Sequence, residues 1–150
     1  MTRKVRVFHL LQTAHAALFR AADNRTRSMA GLTTAQFAVL FVLDKDDGMP
    51  ISEIAKRLSM GKSGLTGLVD RMVALDLVTR EASTEDRRVN RVRLLPKGIE
   101  LLQKGKQETR HFNEALLAPF NEAERATIQQ FLDHVTRNAE AIIAAPEGEE

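Results

Sequence analysis

The sequence predicts a mainly α-helical fold with a small β-hairpin, and three observations carry that prediction. Apolar residues recur at helical spacing along most of the 150-residue chain. Two short strand-like runs, Leu77-Val78-Thr79-Arg80 and Arg91-Val92-Arg93-Leu94, flank one polar stretch, EASTEDRRVN. Just before them, two helical stretches are separated by only three residues, Ser59-Met60-Gly61. The rest of the chain is organised around this central part, residues 51–95.

Residues 5–28 read as a long helix, with Val7, Leu11, Ala14 and Leu18 on one face, Phe8 and Phe19 widening it, and Gly31 as its stop. In LTTAQFAVLFVL, Thr33 with Gln36 fits a capping box, and Phe37, Leu40 and Phe41 follow at helical spacing. This helix is apolar nearly all round and is expected to be buried. DKDDGMP reads as a loop by composition. Ile51, Ile54, Ala55 and Leu58 form the inner face of a short helix. The turn 59–61, with its glycine, lets the next helix cross at a steep angle. Leu65, Leu68, Val69 and Met72 complete an inner face there, leaving Lys62, Ser63, Thr66, Gly67, Asp70 and Arg71 outside. Gly64 and Gly67 each cost about 1 kcal/mol against alanine in a helix interior, which suits a backbone that approaches something closely. Pro96 opens a further helix that Pro119 stops, and its polar middle, QKGKQETRH, reads as bridging through solvent. Asn121 with Glu124 caps the last helix, which carries Ile128, Phe131, Leu132, Val135, Ala139, Ile142 and Ile143 up to Pro146. The chain is thus expected to be one domain, with residues 1–30 and 97–146 as dimerisation helices, the alternative being that they bury their faces within one chain only, 32–95 as the compact middle and 147–150 as a disordered tail.

Composition narrows the function. The chain is 43% hydrophobic and 28% charged, as ordinary soluble globular proteins are. No apolar run approaches the roughly 20 residues that span a bilayer, and MTRKVRVFHLLQ reads as a helix start and not a signal peptide, so a cytoplasmic protein with no membrane role is expected. With no cysteine there is no disulfide, thiolate metal site or thiol sensor. The four histidines, His9, His15, His111 and His134, show no metal-ligand spacing, and no cofactor is implied. The best acid–base set, His111 near Glu108 and Glu114, falls on a solvated-looking helix, so an enzyme is not expected. Residues 1–50 and 51–95 each carry a net charge of +3 and residues 96–150 carry −4. A basic front and middle suit a chain whose centre faces an anion.

A helix-turn-helix followed by a ribbon with a charged tip is a winged helix-turn-helix, a DNA-reading unit. Arg87 and Arg88 at the tip reach a phosphate or a narrow minor groove. The series LTTAQFAVLFVL, ISEIAKRLSMGKSGLTGLVDRMVALDLVTR and STEDRRVNRVRLLPKG resembles the MarR family of bacterial transcriptional regulators, most strongly over residues 65–98. The matching motifs are Leu68-Val69-Asp70-Arg71, the wing signature Asp86-Arg87-Arg88 and the exit Leu94-Leu95-Pro96-Lys97-Gly98. One position departs: Asp76 stands where the family usually has glycine.

The resemblance implies a winged-helix homodimer that binds a pseudo-palindromic operator on double-stranded DNA, usually as a repressor. It makes residues 61–75 the recognition helix, with Lys62, Ser63, Thr66 and Gly67 at the DNA. Arg71 is then either a phosphate contact or one half of a structural salt bridge. Asp86 is expected to hold Arg88 by a charge-assisted hydrogen bond. Many members release DNA on binding a small aromatic effector, a phenol, a carboxylate or an acyl-coenzyme A. His9, Phe37, Phe41, His111 and Asn113 are the candidates for such a site, with Phe37 and Phe41 equally readable as core. The competing function class is a dimeric scaffold or antirepressor that does not bind DNA, and the basic wing tip argues against it.

Overall fold

The fold follows from where the helices are capped and what they bury. The structure, a computed structural model, describes residues 4–144, so the tail expected at 147–150 lies outside the described residues. The elements run α1 (Val7–Ala30), α2 (Thr34–Lys45), β1 (Met49–Pro50), α3 (Ile51–Arg57), α4 (Lys62–Ala74), β2 (Val78–Ala82), β3 (Asn90–Leu94), α5 (Pro96–Leu117) and α6 (Glu122–Ile143). Contacts divide the chain into two compact units, residues 1–107 and 108–150.

In the first unit, α1 ends where Gly31 turns left-handed at φ 69°, two residues beyond the expected end. Thr33 and Gln36 form the expected capping box on α2. Asp23, on α1, adds a second cap. Its carboxylate accepts from the Thr34 backbone N–H at 2.9 Å and from the Thr34 hydroxyl at 3.2 Å. The same carboxylate accepts from Arg27 Nε at 2.7 Å. Hydrogen bonds from Arg27 and from the Thr34 N–H hold the Asp23 carboxyl below its ordinary 3.8. α2 is the centre of the core, with Phe37, Val39, Leu40 and Leu43 buried among Ile54, Leu65, Val69, Met72, Leu77, Val78, Val92 and Leu102.

Four expectations are corrected here. The segment read as a loop contains a strand: Met49 pairs with Val92 and Pro50 with Arg91, making a three-stranded antiparallel sheet in the order β1-β3-β2. Gly48, at φ 83°, turns the chain into it and donates its N–H to the Val92 carbonyl. Proline is tolerated because β1 is an edge strand. The ribbon is longer than its apolar runs suggest, since Glu81 pairs with Arg91 and Ala82 with Asn90, confining the tip to residues 83–89. A diagonal Arg93–Glu81 ion pair at 2.6 Å covers these exposed arms. In the helix-turn-helix turn the left-handed residue is Ser59 (φ 51°), while Gly61 is extended and caps α4. The polar middle of α5 does not simply bridge through solvent. Gly105 is buried against Phe37, and Lys106 pairs with Asp44 at 2.7 Å.

Two positions require their backbone conformation or their lack of a side chain. Asp76 takes the left-handed conformation at φ 58°, the glycine-favouring state that aspartate tolerates better than most residues. Gly98 opens α5 directly over the start of β2, where an added Cβ would overlap the Leu77 carbonyl oxygen.

In the second unit, the end of α5 leads through Phe120 to α6, which carries the expected Asn121–Glu124 capping box. α6 departs from helical geometry at Asn138, whose side-chain amide donates to the His134 carbonyl at 2.9 Å. No residue of α6 is buried. None of the described helices is long and apolar enough to cross a membrane.

Two outcomes follow from this packing. Gly98→Ala is expected to lower stability by about 1–3 kcal/mol in urea denaturation, the usual cost of overpacking, because a backbone carbonyl cannot swing aside. Asp23→Ala is expected to cost about 1 kcal/mol at neutral pH, the usual value of a helix cap. The folded pKa of Asp23 lies below its unfolded value, so its stabilisation is present above pH 3.8 and is lost as the pH falls further. Melting curves of the two proteins should therefore converge in acid.

Candidate nucleic-acid interface

The candidate interface starts from a helix with two unlike faces. Leu65, Leu68, Val69 and Met72 of α4 are all buried, at 5% exposure or less, so one side is committed to the core. The opposite side shows Lys62, Ser63, Asp70 and Arg71 exposed and Thr66 and Gly67 half-buried. Gly61 caps α4 without a side-chain bond, which leaves the first-turn N–H groups open to an anion. An added Cβ at Gly64 would meet nothing within 4 Å, and at Gly67 only the end of the Arg71 side chain. Among the described residues, neither glycine is demanded by packing.

The wing tip is built by its own hydrogen bonds. The Ser83 N–H donates to the Val89 carbonyl at 2.8 Å and the Val89 N–H to the Asp86 carbonyl at 3.0 Å. The Asp86 carboxylate accepts from the Arg88 backbone N–H at 3.0 Å. Asp86 therefore does hold Arg88, but by its main chain, as in an Asx turn. The guanidinium groups of Arg87 and Arg88 are left exposed, and neither has an ion-pair partner among the described residues. The same holds for Arg71 among the described residues.

The structure adds a residue that sequence reasoning missed. Arg80, on β2, reaches back to α4, where its Nη2 meets Asp70 Oδ1 at 2.6 Å and donates to the Thr66 carbonyl at 3.1 Å. Its Nε is buried with no partner among the described residues. An arginine in a short strand carries no signal of this by itself. The usable clue was Asp70, the lone acid of α4. Arg91 is likewise tied down, donating to the Gly48 carbonyl at 3.0 Å.

The effector candidates fall into distinct environments. Phe37 is a core residue, 4% exposed, with its ring against Gly105. Phe41 is half-buried beside it, with ring centroids 6.5 Å apart. His9 is exposed on α1, and His111 and Asn113 are exposed on the part of α5 that belongs to the second unit. A polar groove along α6, lined by Gln129, Gln130, Asp133, His134 and Arg137 among others, contains none of the five. Among the described residues, no group of three or more histidines and acidic side chains could hold a metal ion.

Comparison with known proteins agrees with this geometry. The MarR family model matches residues 30–89, from the end of α1 through the wing tip. The HTH-type transcriptional regulator MhqR of Bacillus subtilis is 31% identical over 103 residues, covering 68% of this chain and 70% of that protein. Among solved structures, the S. aureus MepR–DNA complex superposes with a TM-score of 0.82 at 19% identity, covering 91% of this chain and 99% of that one. PcaV of Streptomyces coelicolor, solved with its natural ligand, superposes with a TM-score of 0.77 at 21% identity, covering 91% and 95%. With a helix-turn-helix, a wing and a relative of that similarity over most of both chains, this chain belongs to the MarR family of winged-helix transcriptional regulators, and not to a family of enzymes.

Proposed function

We propose that the protein is a homodimeric repressor that grips a pseudo-palindromic operator in the cytoplasm and lets go when a small aromatic ligand binds. The observation that carries the DNA reading is the two-faced α4 beside a wing whose arginine heads are unpaired. α4 enters a major groove with Lys62, Ser63 and Thr66 at base edges and phosphates, and Gly64 and Gly67 let its backbone come close. Arg71 contacts a phosphate, and Arg87 and Arg88 enter the adjoining minor groove.

The chain works as one functional domain, with residues 32–95 as reader and residues 1–30 and 97–146 as dimerisation helices. The support is apolar surface that the described residues of one chain leave uncovered. On α1, Phe8 is 72% exposed, and Leu10, Leu18 and Phe19 are exposed with it. On α6, Phe131, Leu132, Ile142 and Ile143 are exposed. Contiguous apolar faces of this kind are covered in solution, and a second copy also supplies the twofold symmetry of a palindromic site.

For the effector, the half-buried Phe41 offers a ring face and the exposed His9 a hydrogen bond to a carboxylate or phenol, while His111 and Asn113, exposed in the second unit, are the other proposed contacts. The precedent is the ligand-bound PcaV.

The test is a gel-shift titration with DNA from the protein's own upstream region at two salt concentrations, repeated with aromatic acids, phenols and their coenzyme A thioesters, beside sedimentation of the free protein. Tight, salt-dependent binding by a dimer, abolished by one compound, is the expected result. A dimer that binds no fragment would favour the scaffold or antirepressor reading. Arg88→Ala is expected to weaken operator binding by about 1–3 kcal/mol at fixed salt without lowering the melting temperature. Gly64→Ala is expected to act in opposite senses, raising stability by up to about 1 kcal/mol, since its Cβ meets open space, while weakening DNA binding. Equal or tighter binding by that variant would remove the close-approach role of Gly64.

A further inference from the structure

We infer that Arg80 is a positioning residue that locks the wing to the recognition helix, so that the two DNA-reading elements meet the duplex in one fixed spacing. The inference rests on the DNA-binding reading above. Val78 and Arg80 share one face of β2, because side chains alternate along a strand. Val78 is buried in the core, so Arg80 is turned the same way. Its guanidinium bonds to Asp70 and to the carbonyl of Thr66, two positions four residues apart on the outer face of α4. Arg80 lies two residues before Ala82, the last residue of β2, beyond which the tip bearing Arg87 and Arg88 begins.

The bond is local to the interface and is not demanded by the core. A planar guanidinium fixes direction as well as distance, which a single ammonium does not. Both bonds are made through Nη2, at 2.6 and 3.1 Å. The pairing also neutralises Asp70, which would otherwise present a bare carboxylate beside phosphates. Without the lock, the wing arginines would have to find the minor groove at an entropic cost for each binding event.

A double-mutant cycle tests this on the full chain, using the DNA fragment that the unaltered protein binds most tightly. The unaltered protein and Arg88→Ala are measured first. Failure of the former to bind, or no weakening by the latter, would sink the underlying DNA or wing assignment and not the lock. Given those, Arg80→Met is expected to weaken binding at least tenfold. In its background the further loss from Arg88→Ala is expected to shrink to less than twofold, because the wing contact is already gone. The salt dependence should flatten in step, as fewer phosphates are neutralised. Arg80→Lys should restore only part of the affinity. Asp70→Asn, which releases the lock from the exposed end, serves if Arg80→Met does not fold and is expected to show the same shrinkage. Losses that simply multiply would overturn the inference, because Arg80 would then act as its own contact or through general stability. Unchanged binding by the Arg80 variant would overturn it equally.

Discussion

A helix that reads DNA has to be held firmly by one side while leaving the other bare, and the first unit is arranged around that demand on α4. The hold is the burial of Leu65, Leu68, Val69 and Met72 in the core of which α2 is the centre. Each such side chain contributes about 1.5–3 kcal/mol on full burial, so the four together outweigh the two glycines that α4 carries at about 1 kcal/mol each. The polar face is thus free to be chosen for binding and not for folding. That separation explains why Gly64 and Gly67 meet so little within the chain.

Around this core, neighbouring elements are joined by short-range polar or steric contacts more than by further apolar bulk. Asp23 joins α1 to the start of α2, Arg80 joins the wing to α4, and Lys106 joins α5 to the end of α2. Gly98 and Gly105 let α5 come down on Leu77 and on Phe37. Contacts of this kind contribute little each when exposed, but they are directional. The core sets that the elements pack, and the joints set the angles at which they do.

The long helices serve a different purpose. α1 buries only Thr26, and α6 buries nothing, although both carry regular apolar faces. A helix gains most of its stability from packing an apolar face and not from propensity, and these helices of 24 and 22 residues leave most of theirs exposed, which is the support for the dimer proposed above.

The sequence by itself determined the elements whose signals are local. The capping boxes at Thr33–Gln36 and Asn121–Glu124, the left-handed stop at Gly31 and the apolar period of α4 each depend on residues within one or two turns, and all stand where the sequence placed them. The polar outer face of α4 and the exposed wing arginines were legible for the same reason. The tertiary structure decided what depends on residues far apart in the chain. Strand β1 exists because Met49 finds Val92, 43 positions on. The polar middle of α5 is partly buried because Gly105 finds Phe37, and Arg80 is tied to α4 because it finds Thr66 and Asp70. A polar or glycine residue carries the same local signal whether water or a distant segment lies opposite it, and only the fold supplies the second partner.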